Sequence, residues 1–277
     1  MSRPRLNTQL FALRQSPPTE LVVLGRRYRL TKVFKHDFFA ATALYTAAEP
    51  GQGYARLVAK FGREQDFCGL PLRWIGTLLR SREQRVHERL DGVPGVQRWA
   101  ARLSESAYAL EYIEGQTLDT LAGPPPVGFF DQLRTLLDAI HARQAAYCDL
   151  HKRSNILVAP DGRPGLIDFQ ISLLYDEQAG AIRRWVLRRW VAYLQQMDLY
   201  HLYKHKRRLA RQELRPGEET LSRQRGWLAN LHRTLTGPIR TLRRKFLTRQ
   251  HQAGRLVSPS ADLETHDQPE KATWRKD

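Results

Sequence analysis

The chain has 277 residues, 42% of them hydrophobic, with six Trp and a formal net charge of +17. That apolar content excludes a disordered chain and is enough for one large domain or two small lobes with cores of their own. Only two cysteines, Cys68 and Cys148, are present, which excludes a disulfide framework and suits a reducing compartment, and no window approaches the ~18 apolar residues of a membrane span.

Residues 1–20 read as a loose leader, broken by charge and Pro before any secretion-signal core can form, so a cytoplasmic chain is expected. The runs Tyr28–Val33, Phe38–Leu44 and Tyr54–Lys60 are separated by breaks such as Glu49-Pro50-Gly51-Gln52-Gly53, which predicts a strand meander over 21–60. Apolar positions at helical spacing predict a helix over Leu70–Leu90, ended by Gly92-Val93-Pro94-Gly95-Val96. Two more strands are expected over Gln97–Leu103 and Tyr108–Ile113, closing at Glu114-Gly115. After Pro124-Pro125-Pro126 a helix is expected over Phe129–Arg143. Helical patterning returns over Ile182–Leu209 and Leu221–Leu235, followed by a short basic piece to Arg249 and a polar tail over 251–277 expected to be disordered. There is no internal repeat.

The chemistry lies in the stretch between these helices, Tyr147 to Gln170. Two apolar runs, Ile156-Leu157-Val158 and Leu166-Ile167, flank the turn Pro160-Asp161-Gly162-Arg163-Pro164-Gly165, which predicts a hairpin. Asn155 precedes the first run and Asp168 follows the second, so an amide and a carboxylate can face each other at one end. Mg²⁺ takes oxygen ligands of this kind, few from the protein and the rest from phosphate and water. Asp149 could accept the proton of an attacking hydroxyl, and Lys152 could stabilise charge on a transferring phosphoryl group.

The order Asp149…Asn155…Asp168-Phe169 resembles the catalytic loop and DFG element of the protein-kinase superfamily. The resemblance spans roughly residues 25–205 and implies an α+β, bilobal protein-kinase-like fold. Its N-lobe, over 21–115, would hold a five-stranded antiparallel sheet plus a helix, and its C-lobe, over 116–250, would be mostly helical with basic helices. Leu57-Val58-Ala59-Lys60 is similar to the third-strand motif whose Lys neutralises ATP phosphates. Glu83 is then the expected ion-pair partner of Lys60, with Glu88 the second candidate. Leu110–Leu118 is similar to the hinge, where the backbone around Glu111 and Ile113 would hold adenine. Ile140-His141 is similar to the Leu-His that precedes the loop, which gives His141 a packing role. Asp198 is similar to the buried helix Asp that steadies the loop from below. ATP and Mg²⁺ are the implied cofactors, with Asn155 and Asp168 as metal ligands and Asp149 as base.

Several departures narrow this resemblance. In place of a Gly-rich phosphate loop the chain has Lys35-His36-Asp37-Phe38-Phe39-Ala40-Ala41, so Lys35, His36 or the Phe38/Phe39 pair is expected to cap the nucleotide. Cys148 replaces the Arg of His-Arg-Asp, the Asp149–Asn155 offset is one residue longer than usual, and Gln170 replaces the Gly of DFG. Little room is left for an activation segment before Ile182, and Ala-Pro-Glu is absent.

With so short a segment the chain looks most like bacterial lipopolysaccharide core kinases, which act on Kdo or heptose. That implies phosphorylation of a sugar hydroxyl in an anionic glycolipid, at the inner face of the membrane. Basic residues dominate Arg183–Arg249, as suits phosphate-rich partners. Periodicity puts Trp185, Val186, Trp190, Val191, Leu194 and Met197 inside the helix 182–209, while the interleaved Arg183, Arg184, Arg188 and Arg189 are compatible with peripheral contact with an anionic membrane surface. Nucleic acid is not the expected partner. The alternatives are an atypical Ser/Thr protein kinase and a nucleotide-binding pseudokinase or scaffold. A cationic aminoglycoside acceptor suits the charge of +17 badly.

Overall fold

The computed structural model describes residues 8–223 and 258–264. These form two compact units, one of residues 8–82, 99–112 and 258–264, the other of residues 83–98 and 113–223. The architecture is α+β.

The first unit is built on an antiparallel sheet of six strands, β1 (Glu20–Val23), β2 (Arg26–His36), β3 (Ala40–Ala47), β4 (Arg56–Gly62), β5 (Trp99–Arg102) and β6 (Ala107–Glu111), in the order β1-β2-β3-β4-β6-β5. Alternation puts Ala41, Ala43 and Tyr45 of β3, Leu57, Ala59 and Phe61 of β4, and Ala107 and Ala109 of β6 into one core. The expectation of five strands is corrected to six. The extra strand, β1, folds back on β2 through Leu24 (φ 51°) and Gly25 (φ 77°), a two-residue turn with both residues left-handed. A Leu at the first of these positions hides the turn from a reading based on Asn, Asp and Gly. Helix α1 (Arg73–Arg89) begins in this unit and ends in the other, slightly inside the expected Leu70–Leu90.

Two segments expected to be loose are tied to this unit. Arg63 is fully buried and donates to the carbonyls of Gln9, Phe11, Phe38 and Asp66, with its guanidinium 3.9 Å from the Phe38 ring centroid. Within the leader, Phe11 and Ala12 are buried in consequence. Residues 258–264, inside the stretch expected to be a disordered tail, lie along β2. There the Val33 amide donates to Leu263 O and Ser260 Oγ meets His36 Nδ1 at 2.9 Å. Polar composition concealed this, because the segment is held by hydrogen bonds to a strand rather than by an apolar stripe of its own.

The second unit contains β7 (Gln116–Thr117), α2 (Phe129–Ala142), β8 (Ala145–Ala146), β9 (Ile156–Val158), β10 (Pro164–Leu166), β11 (Leu173–Leu174), α3 (Ala181–Leu209) and α4 (Pro216–Arg223). Phe129, Phe130, Leu133, Leu137 and Ile140 of α2 pack with Leu202 and Tyr203 of α3, and with Val86 and Leu90 from the end of α1. The hairpin β9–β10 is pinned where the Leu166 amide donates to Gly95 O. Gly95 has φ 87°, and a Cβ there would fall 2.7 Å from Pro164 O, so only glycine fits.

Helix α3 spans nearly the expected range, but its first three turns are not inside. Trp185, Val186 and Trp190 are 61%, 37% and 45% exposed. Val191 is buried, and Leu194 and Met197 are half-buried. An apolar stripe at helical spacing marks a face that leaves water for something, and periodicity does not name the partner. Most of the helix expected over Leu221–Leu235, and the basic piece to Arg249, lie outside the described residues. Among those described, no helix is long and apolar enough to cross a membrane.

Candidate active site

The loop from Tyr147 to Asn155 is held from beneath by α3. Asp198, 1% exposed, accepts hydrogen bonds from the amides of Tyr147 (2.8 Å) and Cys148 (2.9 Å) and lies 3.1 Å from His141 Nε2 at the end of α2. Burial pushes its carboxyl above the usual range, against the hydrogen bonds that favour the anion. His141 therefore orients Asp198 as well as packing. Two turns further along α3, His205 Nε2 meets Leu150 O at 2.8 Å. Burial lowers the His205 pKa to about 4, so at neutral pH its ring is neutral and Nε2–H donates. Asp198 and His205 thus grip the loop on either side of Asp149. Their i, i+7 spacing places them on one helix face, a signal that could have identified His205 beforehand.

Between these grips Cys148 adopts φ 70° and Asp149 is 2% exposed. Asp149 Oδ2 accepts from Lys152 Nζ and from Asn155 Nδ2, each at 2.8 Å. Asp149 Oδ1 is buried, accepts no hydrogen bond and has His151 Nδ1 3.2 Å away, an ion-pair contact when that ring is protonated. One carboxylate oxygen is thus fixed by two donors, while the other faces His151 and keeps its lone pairs unbonded. Asn155 is buried in a single 3₁₀ turn, and the longer offset from Asp149 does not separate the two side chains.

The hairpin forms as the sequence implies. Leu166 pairs with Ile156, and the Ile167 amide donates to Asn155 O at 3.1 Å, so Asp168 emerges at the end of the hairpin that Asn155 occupies. Asp168 is half-buried and left-handed (φ 63°), a conformation that Asp tolerates better than most residues. Phe169 is fully buried, with His87 on one side (centroids 5.3 Å apart) and Tyr147 on the other (4.9 Å). The Tyr147 hydroxyl donates to Ile167 O, and Ser172 Oγ donates to Tyr147 O. This aromatic column was not foreseen from sequence. Its one available signal was His87, four residues after Glu83 on the same face of α1. Residues 173–174 pair at once with β8, and α3 starts at Ala181, so the segment after Asp168 is as short as expected.

The remaining expected site residues divide between the units. Lys60 lies in β4 between Thr42 and Tyr108, on the face opposite Leu57, Ala59 and Phe61. Glu111 ends β6 opposite Leu57, and the Tyr112 amide that follows donates to Arg56 O. Ile113 and Glu83 belong to the second unit. Glu83 is fully buried, with its Oε1 3.8 Å from His87 Nε2, whereas Glu88 is exposed and bonded to Gln84. In the turn expected to cap a nucleotide, Lys35 pairs with Asp37 at 2.6 Å. His36 is buried, accepts from the Leu13 amide and has its pKa lowered by burial to about 4. His36 is therefore a structural residue, and that part of the expectation is corrected.

No group of three or more His, Cys, Asp or Glu able to hold a metal occurs among the described residues. An amide and a carboxylate brought to one end of a hairpin suit instead a hard cation that arrives with phosphate oxygens. A cleft of about 700 Å³, also unforeseen, is lined by His141, Gln144, Tyr175, Arg184, Arg188 and Gln195 among others. Comparison with models of known protein families and with curated proteins finds no match.

Proposed function

We propose that the chain is an ATP-dependent phosphotransferase with a bilobal protein-kinase-like fold, acting on a sugar hydroxyl of lipopolysaccharide core or a similar anionic glycolipid. The observation that carries this reading is the polarised Asp149. Its Oδ2 is fixed by Lys152 and Asn155 while its Oδ1 accepts no hydrogen bond and faces His151, on a loop gripped by Asp198 and His205. A carboxylate so held can orient an acceptor hydroxyl and take its proton. Lys152, half-exposed beside it, can meet negative charge developing on the transferred group.

Asn155 and Asp168 would hold Mg²⁺, which when bound neutralises phosphate charge. Lys60, Glu83, Glu111 and Ile113 keep the nucleotide roles that the resemblance implies for them. The short segment after Asp168 favours a small or lipid-linked acceptor over a peptide, which needs a longer platform. Arg184 and Arg188, set against the single acid Glu177 in the cleft lining, favour an acceptor that is anionic. Peripheral association with the inner face of the membrane would bring such an acceptor within reach.

The test is incubation with labelled ATP, Mg²⁺ and purified lipopolysaccharide. Transfer to the core sugar is expected, with a loss of about a hundred- to a thousandfold in Asp168→Ala. Undiminished transfer by that variant sinks the site assignment, and labelling of protein alone would favour a protein kinase. If nothing is labelled, thermal unfolding with and without Mg-ATP separates a nucleotide-binding scaffold from a protein that ignores ATP. Nucleotide at a hundred times its Kd adds about 2.7 kcal/mol.

A further inference from the structure

We infer that the first three turns of α3 form an interfacial docking face for an anionic phospholipid bilayer, with the helix lying on the lipid surface. Ile182, Trp185, Val186 and Trp190 follow one another at helical spacing and are all exposed, Ile182 by 83%. At 100° per residue they share one side of the helix. Val191 lies on the opposite side with Arg184 and Arg188, and these three line the cleft of the second unit. The outward side therefore exposes four large apolar side chains with Arg189 among them, and solvent-facing patches with two Trp mark surfaces that bind something.

Charge decides what binds. Residues 181–197 contain Arg183, Arg184, Arg188 and Arg189 and no acid; Asp198, the first acid, is buried. Arg189, on the same side of the helix, lies with its guanidinium 4.9 Å from the Trp185 ring centroid, so that its stem can cover apolar surface while its charge meets the solvent. A second copy would bring the same cations against themselves. The chain's own residues 224–257 are also basic without an acid, so they too would meet like charge. An anionic bilayer satisfies both halves of the face, with phosphates against the arginines and Trp at the headgroup boundary. This inference does not depend on phosphotransfer, since it concerns binding in the absence of ATP.

The experiment is flotation of the full chain with vesicles of phosphatidylglycerol and phosphatidylethanolamine, compared with phosphatidylcholine alone. Binding to the anionic vesicles is expected to be at least about tenfold stronger and to weaken with salt. Trp185→Ser with Trp190→Ser should lower it about tenfold or more, and Arg183→Gln or Arg189→Gln about fivefold each. In the unaltered protein, brominated lipid should quench Trp fluorescence, and the quenching should fall in Trp185→Phe/Trp190→Phe, which keeps the apolar face. Equal binding to both vesicle types, or undiminished binding by the Ser variant, overturns the proposal. So does a parent protein that is dimeric in light scattering and becomes monomeric in the Ser variant, which would make the face a self-interface.

Discussion

Along α3, residues 181–190 put Ile182, Trp185 and Trp190 into solvent, whereas residues 198–206 bury Asp198, His205 and Lys206. Hydrophobicity alone would have ranked these two stretches the other way. In the later half Asp198, His205 and Lys206 each have a partner. Asp198 holds two loop amides and His141, His205 holds Leu150 O, and Lys206 Nζ meets Asp131 and Glu218 at 2.7 and 2.9 Å. In the earlier half the inward face carries the arginines of the cleft and the apolar residues point outward. Burial in this helix follows from what the neighbours can supply, and each half can be tested for it.

Asp198 should give the largest effect. Asp198→Ala leaves the Tyr147 and Cys148 amides buried without an acceptor, which costs about 3–5 kcal/mol of stability and frees the loop that carries Asp149. Chemical denaturation measures the first consequence. Asp198→Asn, which retains an acceptor, should recover a good part of it. If Ala and Asn cost the same, the carboxylate is not the anchor described.

Lys206 comes next. Removing its charge in Lys206→Met leaves the largely buried Glu218 carboxylate facing an apolar stem, at a cost of about 3 kcal/mol. Burial alone would lower the Lys206 pKa, but the hydrogen bonds that Lys206 donates to Asp131 and Glu218 outweigh it and raise the value. A raised folded pKa means that this contribution is complete at neutral pH and is lost only as pH climbs through the alkaline range. Adding Glu218→Gln to Lys206→Met should return part of the loss; a further drop would show that the two groups do not act as a pair.

The hairpin, the short segment after Asp168 and most helix ends were legible because each is written locally, in a Pro/Gly turn or a change of apolar period. The order Asp149, Asn155, Asp168 was legible as a constellation, whereas the hydrogen bond between Asn155 and Asp149 was not, since it depends on how the 3₁₀ turn places the additional residue. What was hidden depends on residues distant in sequence. His36 reads as a candidate ligand until Leu13 and Ser260 are seen to take both ring nitrogens. Nothing in the sequence around Arg63 marks the four carbonyls that converge on it. Trp185 reads as core because a stripe has the same period whether it faces protein or water.

His205 ranks third. Its folded pKa of about 4 lies below the ordinary 6.5, so the folded state takes up its proton later than the unfolded chain does. Its contribution is complete above pH 6.5 and is lost as pH falls from there to 4, a change of about 3 kcal/mol. His205→Gln keeps a donor for Leu150 O and removes the titration. Between pH 7 and 4 the parent should therefore lose about 3 kcal/mol more than the variant. Parallel losses would mean that the ring is not held neutral by burial against the loop.

The smallest effect belongs to the exposed half, and its smallness is the test. Trp185→Ser with Trp190→Ser should change unfolding stability by less than about 0.5 kcal/mol, because neither ring loses a packed environment on replacement. Were these residues core, as periodicity alone implies, truncating even one would cost about 3–5 kcal/mol. Thermal unfolding of the pair in lipid-free buffer therefore decides between the two readings by a wide margin. A near-zero result also gives the vesicle experiment its force, since any binding lost in that variant then belongs to the surface and not to the fold.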